Sequence, residues 1–101
     1  MKLRVHDLAE AELLAAAEWY EERERGLGER FLSEYQGTLE RILRVPRRFA
    51  KLETTRSRRK LRRCFIQRFP YYVGYEIVGS EINVLSVAHM KRRPNYWIRR
   101  R

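Results

Sequence analysis

The chain has 101 residues, 44% of them hydrophobic, and 23 Lys/Arg against 13 Asp/Glu give it a formal net charge of +10. This length predicts one domain over residues 1–101 with a single hydrophobic core, and the apolar content excludes wholesale disorder. The single cysteine excludes an internal disulfide framework and fits a reducing compartment. No stretch approaches the roughly 20 apolar residues that a membrane-spanning helix needs, and the first residues lack a signal-peptide core. We therefore expect a cytoplasmic protein without a membrane partner.

The charge is unevenly distributed along the chain. Residues 1–45 hold 7 Lys/Arg and 10 Asp/Glu, whereas residues 46–101 hold 16 Lys/Arg and only 3 Asp/Glu. This asymmetry predicts a cationic surface built by the second half, whose partners would be nucleic acid, an acidic protein, or both. The alternative is a solvated basic face that binds nothing. A net charge this high destabilises a compact chain by self-repulsion, which favours a partner.

The first half is predicted to form a strand and two helices. Residues 2–6 alternate between apolar and polar side chains, as a short strand does. Asp7 is the expected N-cap of a helix that extends to about residue 25. A glycine-containing break then leads into a second helix over residues 28–45, which Pro46 ends because proline cannot continue a helix. So short a connection forces the helices to pack antiparallel, as an αα-hairpin.

After Pro46 apolar residues recur at every second position, which is typical of strands. We predict strands over residues 60–69, 72–78 and 81–89, a short edge strand over 49–53, and a polar loop over 54–59. Gly79-Ser80 has the glycine-first composition of a type II′ hairpin turn. The last strand is the most apolar and is therefore expected to lie inside the sheet.

This order of elements predicts an α+β fold. An N-terminal strand and an αα-hairpin would pack on one face of a mostly antiparallel sheet of four to five strands. The other face would be open, with the arginines of the second half on it or at its rim. Residues 95–101 would form a cationic tail.

Several short motifs follow one another along nearly the whole chain. They are Trp19-Tyr20-Glu21-Glu22, Gly26-Leu27-Gly28-Glu29-Arg30-Phe31, Leu61-Arg62-Arg63, Arg68-Phe69-Pro70-Tyr71, Tyr75, Val84-Leu85-Ser86-Val87-Ala88-His89 and Arg92-Arg93-Pro94-Asn95-Tyr96-Trp97. The most specific is the run His-x-x-x-Arg-Pro-x-Tyr-Trp after an apolar strand. As an ordered set, they resemble the RelE/ParE superfamily of toxins from type II toxin–antitoxin (plasmid stabilisation) systems.

The resemblance implies a toxin that arrests growth and is neutralised by a cognate antitoxin. RelE-like members cut messenger RNA on the ribosome, whereas ParE-like members poison DNA gyrase, and both targets remain open at this point. A third reading from another class is a non-toxic basic nucleic-acid-binding module. The αα-hairpin and the terminal motif argue against that third reading, because electrostatic binding requires neither.

Metal-independent RNA cleavage needs a base for the 2′-OH, cations for the phosphorane and an acid for the leaving oxygen. The catalytic candidates are His89, Arg62, Arg63, Arg92 and Tyr96. A histidine can act as acid or base near neutral pH, and arginine binds two phosphate oxygens at once. Strand alternation sends Arg62 and Arg63 to opposite faces, so the one away from the site is expected to pair with an acidic residue of the first helix. His89 has the alternative of a structural hydrogen bond at a strand end.

The binding candidates are Lys51, Arg58, Arg59, Lys60, Arg93 and Trp97. Tyr96 and Trp97 would either stack on a base or fold the tail back onto the core, and the second is favoured. Only four lysines are present, and Glu76 is the sole glutamate in the middle of a late strand. Ribosome-dependent nucleases of the superfamily that this chain resembles tend to carry lysines or a glutamate facing the open sheet. The resemblance therefore implies that the set of an endoribonuclease (mRNA interferase) is incomplete or altered here. No metal site or cofactor is expected, because one cysteine and two distant histidines lack ligand spacing and no glycine-rich phosphate loop is present.

Overall fold

A computed structural model describes residues 1–52 and 59–101 of the chain. The elements in chain order are β1 (Lys2–Val5), α1 (Asp7–Arg23), α2 (Leu27–Arg44), β2 (Ala50–Lys51), β3 (Lys60–Phe65), β4 (Tyr71–Val78) and β5 (Glu81–His89). The strands form one sheet in the order β1-β5-β4-β3-β2, in which only the β1–β5 pair is parallel. The predicted α+β fold is confirmed.

Two strands are clearly shorter than predicted, and the bounds of β1 and β4 differ from the predicted ones by one residue. The strand predicted over residues 60–69 ends at Phe65, because Arg68 has a φ of 70° and the chain turns back there, with the Tyr71 N–H donating to the Phe69 carbonyl. β2 is two residues long where the sequence indicated 49–53. The predicted loop over 54–59 falls, apart from Arg59, outside the described residues. No helix in the described ranges is long and apolar enough to cross a membrane.

The connection between the helices is held by one glutamate. The carboxylate of Glu21, in the last turns of α1, accepts hydrogen bonds from the backbone N–H groups of Gly26 (2.9 Å) and Gly28 (3.0 Å). It thereby satisfies donors at the start of α2 that have no partner within the helix. At the start of α1, the His6 ring accepts from the Leu8 N–H, so the N-cap is His6 and the prediction of Asp7 was wrong by one residue.

The core between the helices and the sheet is built from both helices and the three longest strands. Its buried apolar members include Ala9, Leu13, Ala16, Ala17, Phe31, Tyr35, Leu39, Ile42, Val73, Tyr75, Ile77, Ile82, Val84 and Val87. At one end, the rings of Tyr20, Phe31, Phe69 and Tyr71 pack edge to face or tilted, with centroids 4.9 to 6.2 Å apart. These ring contacts thereby join both helices to the start of β4.

The second face of the sheet is covered by the C-terminal segment (residues 95–101). Trp97 is fully buried there against a second apolar cluster that contains Leu61, Tyr72 and Leu85. The prediction of an open face was wrong in this respect, whereas the prediction that Tyr96 and Trp97 fold back onto the core is confirmed. The physical reason is that alternating positions of β3, β4 and β5 are apolar on both faces, so both faces need a cover.

Two helical glycines make a matched test of the packing. A Cβ at Gly28 would lie 2.5 Å from the Ala17 carbonyl oxygen, whereas a Cβ at Gly37 in the same helix would meet nothing within 4 Å. We expect Gly28→Ala to lower the free energy of unfolding by about 1–3 kcal/mol through overpacking. Gly37→Ala should raise it by about 0.5–1 kcal/mol, because alanine loses less backbone entropy in a helix. Urea denaturation of both variants measures the difference, and equal effects would contradict this account of the hairpin.

Candidate functional site

The outer edge of β5 lacks a neighbouring strand over its second half. β1 pairs with β5 only as far as Val84. Beyond it, the Glu12 carboxylate of α1 accepts from the Val87 N–H at 3.0 Å, and the Arg100 guanidinium donates to the Leu85 carbonyl at 2.9 Å. An unpaired buried backbone group costs free energy comparable to a lost hydrogen bond. Two side chains therefore take the place that another strand would have held.

Glu12 is the centre of a cluster that joins α1 to the end of the chain. Arg100 binds it with two hydrogen bonds, of 2.8 and 3.1 Å, and each side chain is only 15% exposed. The Tyr96 hydroxyl also donates to the carboxylate, and Arg92 lies 3.6 Å from it. We call these four residues the Glu12 cluster. Burial and the hydrogen bond to Glu12 raise the pKa of Tyr96, so its hydroxyl remains a donor.

A groove of about 560 Å³ lies beside this cluster, between α1 and the end of β5. Three of the catalytic candidates meet near it. His89 and Arg92 line the groove, and the Arg92 guanidinium lies 3.9 Å from the centroid of the Tyr96 ring. The His89 ring accepts a hydrogen bond from the Lys91 N–H at 3.0 Å and packs edge to face on Tyr71.

The other two catalytic candidates lie elsewhere. Arg62 donates to the Phe49 carbonyl at 2.8 Å, whereas Arg63 lies over the rings of Phe65 and Tyr72 at 5.5 and 5.6 Å. Their placement on opposite faces follows the predicted alternation. Among the described residues, however, neither pairs with an acidic side chain of α1, so that prediction was wrong. Glu12 of α1 instead binds Arg92 and Arg100.

The distance between Arg62 and His89 follows from the register of the sheet. Arg62 is opposite Tyr75, and His89 is opposite Tyr71. The two positions are therefore four residues apart along β4, which is about 13 Å. These side chains do not meet at a single phosphate.

The binding candidates also separate into different environments. Lys51, Lys60 and Arg93 are exposed. Arg59 binds Glu76 with two hydrogen bonds of 2.8 and 3.0 Å, and the hydrogen bond to Glu76 raises the pKa of Arg59. Trp97 donates from its indole nitrogen to the Tyr72 hydroxyl at 2.9 Å and has no exposed surface. Arg58 lies outside the described residues.

Sequence reasoning missed Glu12 and Arg100. One signal was available, because Glu12 lies on the same helical stripe as the buried Ala9, Leu13 and Ala16. A charged residue on a buried stripe needs a partner. The sequence contains no comparable signal for Arg100, which is one of three consecutive arginines at positions 99–101. Within the ranges that the structure describes, no group of three or more His, Cys, Asp or Glu could hold a metal ion.

A comparison with known protein families identifies this architecture. The sequence model of the family described as "ParE toxin of type II toxin-antitoxin system, parDE" matches residues 3–94. The chain belongs to the ParE toxin family. The resemblance to RelE/ParE toxins is thereby confirmed, and membership implies a cognate antitoxin as partner. Tyr96, Trp97 and Arg100 lie beyond the matched residues of this ParE-family chain.

Known structures show the same fold. A chain of a solved structure described as "Chromosomal ParDE TA system from P. aeruginosa" is similar with a TM-score of 0.64 and 19% sequence identity. The similarity covers 90% of this ParE-family chain and 97% of that chain. No curated protein sequence matches significantly.

The Glu12 cluster generates a prediction about stability. Glu12→Gln keeps the shape of the side chain and an acceptor for the Val87 N–H, but it leaves the buried Arg100 guanidinium without a counter-charge. We expect the free energy of unfolding to fall by about 3 kcal/mol, as when a buried ion pair loses one partner. Glu18→Gln on the exposed side of the same helix is the control, and urea denaturation is the measurement. A loss of equal size in both variants would refute the role of the cluster.

Proposed function

We propose that this ParE-family chain is a cytoplasmic toxin that arrests growth by binding and poisoning DNA gyrase, and that a cognate antitoxin neutralises it. The main support for this target is that the five catalytic candidates do not lie together at one site. A proton-transfer group must come within about 3 Å of the atom it serves. Arg62 and Arg63 point to opposite faces of the sheet, and neither lines the groove that contains His89.

The residues that do meet at the groove are poorly suited to phosphate chemistry. The Tyr96 hydroxyl already donates to Glu12, and its raised pKa opposes the loss of its proton to act as a base. Arg92 lies 3.6 Å from the same carboxylate. A phosphate beside Arg92 would therefore meet the negative charge of Glu12 at close range. This arrangement favours a toxin that acts by binding over one that cleaves RNA.

One observation favours the second candidate, a ribosome-dependent endoribonuclease. His89 and Arg92 line the same groove, and their side chains are half-buried and exposed, respectively. A histidine and an arginine together could supply one proton transfer and one phosphate contact. The test of the proposal must therefore separate the two mechanisms at His89.

His89→Gln provides that separation. The glutamine keeps some hydrogen bonding but cannot transfer protons, so an endoribonuclease should lose about 10²–10⁴ in rate. We expect the variant to arrest growth as the wild type does, because a gyrase poison needs no proton transfer. Induced cells should yield intact messages by primer extension, and the purified toxin should trap gyrase–DNA complexes and inhibit supercoiling. Codon-positioned cuts that disappear in His89→Gln, together with normal supercoiling, would replace gyrase by messenger RNA as the target.

The groove beside β5 is also the proposed contact for the antitoxin. The outer edge of β5 has no strand beyond Val84, and Trp19 at the rim of the groove is 50% exposed. Because the side chains of Glu12 and Arg100 already bind an N–H and a carbonyl of this edge, we propose that an amphipathic segment binds in the groove rather than as a further strand. Acidic residues in that segment would complement the basic second half of the chain.

Substitutions on the two helices test this contact. Ala15→Arg introduces a long side chain into the wall of the groove, whereas Ser33→Arg changes an exposed position of α2. We expect the antitoxin to co-purify at moderate salt with the wild type and Ser33→Arg, and to be lost with Ala15→Arg. The bound antitoxin should also raise the melting temperature, because it binds only the native state. Co-purification that is unchanged in Ala15→Arg would place the antitoxin on another surface.

A further inference from the structure

Three arginines of the second half are paired with carboxylates within the fold. Arg59 is bound to Glu76, and Arg92 and Arg100 are bound to Glu12. These cations neutralise carboxylates of the chain itself. The cationic surface that the composition predicts must therefore come from other residues.

A group of exposed cations lies where α2 ends and β2 begins. Arg44 is the last residue of α2, Arg47 and Arg48 follow in the connection, and Lys51 is in β2. We call these four residues the α2–β2 corner. Across residues 1–52 and 59–101, their side chains make no ion pair or hydrogen bond. Residues 41–52 contain no Asp or Glu. Within the described ranges, the cations of the corner thus have no ion-pair partner.

The backbone of the corner is fixed by hydrogen bonds from the sheet. Tyr75 donates its hydroxyl proton to the Pro46 carbonyl at 2.6 Å, and Arg62 donates to the Phe49 carbonyl at 2.8 Å. Lys51 is held in register opposite Arg62. A rigid backbone presents several cations together at a lower entropy cost than a mobile segment does. The corner therefore differs from a run of charges on a mobile tail.

The chemistry of the corner fits a phosphate backbone. Arginine binds phosphate oxygens with a planar fork. Phe49 is the only aromatic residue between Arg44 and Lys51, and it packs against the core between helices and sheet. No ring of the corner is thus free to stack on the bases of a single strand. An exposed aromatic anchor of the kind found in protein interfaces is also missing from this segment.

We propose that the α2–β2 corner binds the phosphate backbone of duplex DNA without sequence preference. The toxin itself then contacts DNA, in addition to any protein target. This inference goes beyond the proposed gyrase target, because the binding is a property of the toxin alone. A gyrase poison with such a corner would contact the DNA segment that the enzyme holds.

A matched pair of double variants tests the proposal. Arg47→Gln with Arg48→Gln removes two charges from the corner. Arg25→Gln with Arg30→Gln removes two exposed charges near the α1–α2 connection, at the other end of α2. Binding of a short labelled duplex to the full chain is measured by fluorescence anisotropy at several salt concentrations. Melting temperatures of all three proteins serve as the check on folding.

We expect the corner variant to bind duplex DNA at least about tenfold more weakly at low salt, with a salt slope smaller by about two because two phosphate contacts are lost. The control variant should bind within about twofold of the wild type at the same salt. The unlabelled single strand should compete less well than the duplex, because its charge density is lower.

Three outcomes would overturn the proposal. Equal losses in both variants would show that only net charge matters, and tighter binding to the single strand would exclude a duplex surface. A corner variant that binds duplex normally but no longer binds an acidic antitoxin would make the corner a protein interface. None of these results depends on gyrase. A negative supercoiling assay would therefore remove the proposed target and leave the corner to be judged on duplex binding.

Discussion

The ion pair between Glu12 and Arg100 connects the first helix to the C-terminal segment of the chain. It joins the second turn of α1 to the penultimate residue. The same two side chains also bind the Val87 N–H and the Leu85 carbonyl on the unpaired edge of β5. Buried charges are tolerated when they are paired and hydrogen-bonded. The Glu12 carboxylate therefore stabilises three features together: the edge of the sheet, the position of α1 and the docking of the C-terminal segment.

The docked C-terminal segment reduces the surface of the sheet that a partner can reach. Trp97 fits against Gly74, where an added Cβ would lie 2.5 Å from the indole ring. The indole nitrogen of Trp97 donates to the Tyr72 hydroxyl. Arg59, the residue before β3, donates to Glu76 and to the Ile98 carbonyl. The second face is thereby occupied by the chain itself. Among the described residues, the groove beside β5 and the cationic corner after α2 remain accessible.

These two surfaces agree with a toxin that works by recognition. The groove lies beside the end of β5 and has an exposed Trp19 at its rim, which is a feature of peptide-binding sites. The corner combines a fixed backbone with exposed arginines, which are features of phosphate-binding surfaces. They lie at different places on the molecule, so a neutralising partner at one need not occupy the other. Membership of the ParE family implies a cognate antitoxin. The separation of the catalytic candidates is the reason for proposing gyrase rather than messenger RNA as the target.

The sequence by itself determined the elements and the family. Alternating apolar residues in β3 to β5, the glycine break between the helices and the terminal His-to-Trp motif were sufficient, because they depend on neighbours in the chain. The sequence also placed Arg62 and Arg63 on opposite faces. Only the tertiary structure decided that Glu12 binds Arg92 and Arg100, and that the C-terminal segment covers the second face of the sheet. Those contacts join residues more than 80 positions apart in the case of Glu12 with Tyr96 and Arg100. A long-range ion pair leaves no periodic trace, because any of several arginines would satisfy the same local pattern.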